Sequence, residues 1–118
     1  MKDWKEIVRE IDITIRPGIE ISKTDGGLRP VTRIVNDKIY VRTGVKTNAE
    51  KYTTKDMIRF AYQTMVSDEY FDYNILKNEF PKECKQGACV YSLTGGILEK
   101  LGVAEKRKIG RKTVYSLK

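Results

Sequence analysis

Five cations, Lys106, Arg107, Lys108, Arg111 and Lys112, stand within seven residues around the pair Ile109-Gly110. Like charges that close repel and add nothing to a fold by themselves. A phosphate backbone relieves them, because each neutralised phosphate releases condensed counterions. A second basic group lies in "VTRIVNDKIYVR" (31–42). If Asn36-Asp37 makes a two-residue turn, Arg33, Lys38, Tyr40 and Arg42 share one face of the hairpin, with Thr32, Ile34, Ile39 and Val41 on the other. Cations around an aromatic ring can grip a nucleic-acid backbone and stack a base. The same set also suits a solvated face on which an arginine lies over a tyrosine.

Other chemistries find less support. The chain has no histidine, which removes imidazole acid–base catalysis and Ser-His or Cys-His nucleophilic pairs. It has no glycine-rich phosphate loop and no dinucleotide-binding glycine pattern. Asp12, Glu20, Lys23 and Asp25 offer carboxylates and a lysine, but at no spacing that forces them onto one metal. Acidic residues beside a turn are ordinarily turn residues. Cys84 and Cys89 are the only cysteines, and a zinc site would need two further ligands. Two reduced thiols are therefore expected, although Lys82 and Lys85 stand close to Cys84 in sequence. The chain reads as a non-enzyme with neither metal nor cofactor.

The elements that must position these groups can be read from periodicity. The 118 residues suit one domain, or two small modules sharing a core. Net charge is +7, and its placement is uneven: residues 82–118 hold nine Lys/Arg against three Asp/Glu. The start of the chain has no apolar h-region and no stretch is long and apolar enough for a membrane span, so a cytoplasmic protein is expected. Residues 2–10 form a short amphipathic helix through Trp4, Ile7 and Val8. Turns follow at Pro17-Gly18 and over 24–30. "TTKDMIRFAYQTMVSDEY" (53–70) is the strongest helix, with Thr53 or Thr54 as its cap. Asp72 caps a second helix over 72–80, ended by Pro81. A third spans 87–102, with Val90, Leu93, Ile97 and Leu101 on one face. The β-prone run at 89–93 leaves open a short strand there, with the helix confined to 94–101.

The segment "LTGGILEKLGVAEKRKIGRKTVYSL" (93–117) resembles the recognition helix and wing of the winged helix-turn-helix DNA-binding proteins. The shared pattern is an apolar-spaced helix ending in Leu-Gly, a strand, a basic glycine-containing tip and a returning strand. The resemblance covers about residues 53–118. It implies an α+β fold: a C-terminal winged helix of three helices plus a β-hairpin wing, after a small antiparallel β-module at 1–52. It further implies duplex DNA as partner, with the third helix in the major groove and the wing along the adjacent backbone. On that helix Gln86 would read adenine, Ser92 a base or phosphate, and Tyr91 a phosphate or sugar. Gly95 and Gly96 would admit close approach of DNA or another helix, or mark a later helix start. The wing turn is expected at Ile109-Gly110, with Lys108 opposite Arg111 and Arg107 opposite Lys112. A transcriptional regulator or architectural factor follows, with homodimerisation suggested by paired half-sites. The alternatives are a protein-docking module on the same scaffold, or a single-strand or RNA binder using Arg33, Tyr40 and Arg42.

Overall fold

A computed structural model describes residues 2–43 and 49–118. Asp3 opens the first helix, α1 (Trp4–Thr14), by accepting a hydrogen bond from the Glu6 amide at 2.9 Å. The helix continues past residue 10 because Ile11 extends the apolar stripe of Ile7, and both are buried. The Pro17-Gly18 turn forms as expected: Ile19 N donates to Arg16 O at 3.0 Å, and Gly18 takes φ +96°.

The chain then makes a four-stranded antiparallel meander, β1 (Glu20–Ser22), β2 (Leu28–Val35), β3 (Lys38–Arg42) and β4 (Glu50–Thr54), in that spatial order. Asn36, at φ 55°, turns β2 into β3, and Val35, Ile34 and Arg33 face Lys38, Ile39 and Tyr40 as the hairpin reading requires. Beyond Arg33 the register shifts at Thr32, so that Val31 pairs with Val41. The bulge turns Val31 into the core beside Ile39 and Val41, while Ile34 is 38% exposed. The inner face is therefore Val31, Ile39 and Val41, not the expected set of Thr32, Ile34, Ile39 and Val41.

β4 takes residues 53 and 54 from the expected helix, and Thr54 caps α2 (Lys55–Ser67) by accepting from Met57 N at 3.1 Å. Asp72 caps α3 (Tyr73–Glu79) as anticipated. Pro81 does more than end it, since it opens the short helix α4 (Pro81–Cys84). α5 (Cys89–Lys100) is helical from its first residue, which removes the strand alternative at 89–93. It leads to the hairpin of β5 (Ala104–Ile109) and β6 (Lys112–Leu117). Phe71, between α2 and α3, bridges to Tyr115 on β6.

The architecture is α+β. Side chains from both halves, among them Ile7, Ile21, Val31 and Ile39 with Met57, Leu93, Ile97 and Tyr115, belong to one hydrophobic core. α5 lies inside it, packed against β1 and β4 on the sheet, α2, and β5 of the hairpin. Among the described residues no helix is long and apolar enough to cross a membrane.

Candidate nucleic-acid interface

α5 owes its place to what it lacks. From Gly87 to Leu98 the sequence carries no charge, and a helix apolar or neutral all round is one that can be enclosed. Residues Val90 to Leu98 are all buried. Its glycines are contact points. A Cβ on Gly95 would stand 2.3 Å from the Tyr115 ring, and one on Gly96 would stand 2.7 Å from the Ser22 carbonyl oxygen. The sheet and the hairpin thus close on the helix from two sides.

Three side chains expected to contact DNA have their partners within the protein instead. Tyr91 is 5% exposed, and its hydroxyl lies 3.0 Å from the Phe71 carbonyl and 3.1 Å from that of Thr113. Burial pushes its phenol well above the usual range. Ser92, 6% exposed, accepts from Arg29 Nη2 at 2.6 Å and donates to the Cys89 carbonyl at 3.0 Å. Gln86 uses its whole amide on the edge of the sheet. Its Oε1 accepts from Tyr52 N at 3.0 Å, while Nε2 donates to the Tyr52 and Glu83 carbonyls at 3.1 and 3.0 Å. The Tyr91 and Ser92 side chains are enclosed by protein, and the Gln86 amide is spent on backbone.

The hairpin behaves differently. Its turn is Gly110-Arg111, with Ile109 opposite Lys112, Lys108 opposite Thr113 and Arg107 opposite Val114. The expected turn is displaced by one residue because Gly110, at φ +63°, takes the first of the two turn positions. Like charges consequently do not face each other across the strands. The five cations also divide. Lys106 binds Glu99 at 3.0 Å and the Ser22 hydroxyl at 2.7 Å. Lys112 binds Asp72 at 2.7 Å, and the hydrogen bond lifts its pKa. Burial pushes the Asp72 carboxyl up, but the hydrogen bonds from Lys112 and from Ile75 N outweigh it and hold the group below its ordinary value. Arg107, Lys108 and Arg111 are exposed and make no ion pair among the described residues. Two lysines, Lys106 in mid-strand and Lys112 beside the turn, therefore tie the wing to the body and leave three cations on it with no ion pair among the described residues.

The outer face of the sheet gathers the second basic group. Arg33 Cζ lies 3.9 Å from the centre of the Tyr40 ring, and Arg33 Nε donates to Glu50 at 3.0 Å. Tyr40 stands opposite Tyr52, a residue the sequence reading did not single out, with ring centres 5.5 Å apart. Lys38 Nζ lies 4.8 Å from the Tyr52 ring centre. Arg42, opposite Glu50, is exposed. Glu50 accepts from Thr32 and from Arg33, which together hold its pKa down. The alternation Glu50, Tyr52, Thr54 in "EKYTT" is the signal that would have placed Tyr52 on this face.

The other candidates are dispersed. Asp12 pairs with Lys55 at 3.0 Å, and Asp25 accepts from Gly27 N at 2.9 Å. Cys84 and Cys89 are both free thiols; Cys84 is buried, and burial raises its pKa. Among the described residues no three His, Cys, Asp or Glu side chains gather as metal ligands. In comparisons with protein-family models, curated proteins and solved structures, nothing matches this chain.

Proposed function

We propose that this protein binds duplex DNA without catalysis, holding the phosphate backbone by the wing and reading little or no sequence. The observation that carries the proposal is the division of the wing cations: Lys106 and Lys112 are spent on Glu99 and Asp72, while Arg107, Lys108 and Arg111 are exposed with no ion pair among the described residues. A solvated tip would gain nothing from three adjacent cations, whereas a row of phosphates neutralises them together. The order of α2, the Phe71 bridge, α3, α5 and the β5–β6 hairpin supports a winged-helix reading of residues 53–118. The departure lies in α5, whose side chains are covered, so affinity comes from charge and not from base edges. A regulator of this kind acts by occupancy or by shaping DNA.

The test is fluorescence anisotropy with a duplex of random sequence between about 50 and 200 mM salt. Three phosphate contacts give a slope of log K against log salt of about −3, at about 0.9 per contact. Replacing Arg107, Lys108 and Arg111 together by Gln flattens that slope toward zero and weakens binding to all duplexes alike. Unchanged affinity in the triple variant overturns the proposal.

A further inference from the structure

We infer that the outer face of the β1–β4 sheet is a second, separate interaction surface, and that its occupant is a single-stranded nucleic acid, bound by stacking and charge with no preference for the sugar. The inference does not depend on the wing. It starts from the layered arrangement Arg33–Tyr40–Tyr52–Lys38, in which two phenol rings on neighbouring strands are each flanked by a cation. The bulge at Thr32 and the Arg33–Tyr40 pairing put these groups on the solvent side, while Ile39, Val41 and Thr53 face the core. The hydrophobic interior is therefore complete without either tyrosine, and both rings are part-exposed.

The chemistry of the face selects its occupant. On the strands Arg33, Lys38 and Arg42 stand against one carboxylate, Glu50, so the strand face is cationic, while Asp37, Asp56 and Glu83 line the recess at its Lys38 end. Phosphates complement that charge, but the bases of a duplex are stacked on one another and offer the rings no open face. A single strand presents both, because its unstacked bases can lie on a ring or on a guanidinium plane. Arg33 already caps Tyr40 and offers its own open side to a base. Lys38 is exposed on a flexible stem and can leave Tyr52 for a phosphate, freeing that ring. Arg42 makes no ion pair among the described residues and extends the cationic track along β3. Stacking on the rings and ion pairing with phosphates use groups that deoxyribose and ribose strands share. Hence deoxyribose and ribose strands should bind alike.

The experiment titrates the whole protein against labelled thymidine and uridine oligomers of about 12 nucleotides, within the site sizes of comparable single-strand surfaces. Both bind, within about tenfold of each other. Tyr52→Leu keeps an apolar side chain but removes the ring, and weakens both by about tenfold or more. Lys38→Gln with Arg42→Gln, at two exposed positions, flattens the salt slope by about 1.4, at about 0.7 per contact on single strands. The wing triple variant leaves the Tyr52→Leu factor intact, since the two surfaces act independently. Failure of the oligomers to bind overturns the inference, as does wild-type affinity in both sheet variants. A preference for one sugar beyond about tenfold overturns its sugar-indifferent form.

Discussion

Helix α5 and the hairpin that follows it come from one continuous stretch of chain, and the winged-helix resemblance implies a nucleic-acid surface on both. In the fold they part. α5 carries Tyr91 and Ser92 inward and is enclosed by sheet, helix and hairpin, whereas the β5–β6 tip keeps Arg107, Lys108 and Arg111 in solvent. The difference lies in the cost of burial. Hydroxyls can be enclosed once they find carbonyls or a guanidinium, as those of Tyr91 and Ser92 do. A guanidinium costs more to enclose. Among the described residues Arg29 is the one cation found buried, held by the Ser92 hydroxyl without a carboxylate. Polarity alone therefore does not mark an outward face; the exposed cations of the hairpin do so because they cluster.

The comparison can be broken most severely at the glycines. In an exposed recognition helix, Gly95→Ala or Gly96→Ala would stabilise the protein by about 1 kcal/mol through helix propensity. In the enclosed helix each added methyl meets the Tyr115 ring or the Ser22 backbone, and overpacking costs about 1–3 kcal/mol. The sign of the shift in urea midpoint decides between the two, and a loss of stability is expected for both variants.

A gentler test is Tyr91→Phe. If the phenol met a phosphate, the variant would bind duplex DNA more weakly at unchanged stability. Because the hydroxyl lies against the Phe71 and Thr113 carbonyls, the expected result is the converse. Stability falls by about 1 kcal/mol, the typical net value of one hydrogen bond, and duplex affinity is unaltered.

The smallest effect concerns the anchor of the wing. The folded pKa of Asp72 lies below its ordinary value of 3.8, so its pairing with Lys112 stabilises the fold fully above that pH. The contribution is lost as pH falls through the lower folded value. Lys112, whose pKa is raised above 10.5, adds stability that is complete below that pH and lost as pH rises through the folded value. Urea midpoints of wild type and Lys112→Gln should therefore differ most across neutral pH and converge at both extremes. A gap that stays constant into acid would show that the ion pair is not what ties the hairpin to the start of α3.

Much of the local architecture is legible in the residues themselves. Asp72 and Thr54 announce their helices because a side-chain oxygen before an apolar-periodic run satisfies a free amide. Asn36-Asp37 announces its turn because asparagine tolerates positive φ. The wing turn was within reach too, since a glycine at the first turn position sets the register. The bulge at Thr32 was not, because it brings Val31 beside Val41 in a core that is assembled from residues far along the chain. The burial of α5 is a similar case. Spacing identified Val90, Leu93 and Ile97 as one inward face, but only the arrival of β1 and β4 encloses the other. The absence of charge from Gly87 to Leu98 was the available warning. For the candidate surfaces, the cations were visible individually. Which of them would be spent on Glu99 and Asp72 depended on contacts between residues distant in sequence, as with Lys112 and Asp72.

The engaged amide of Gln86 has a consequence for the protein in a crowded solution. By donating to and accepting from the main chain of Tyr52, it occupies the pairing site a neighbouring molecule would need to extend the sheet past β4. One side chain thus acts as a stopper against edge-to-edge growth, and an open aromatic face can be carried beside it without inviting copies of the chain to zip together.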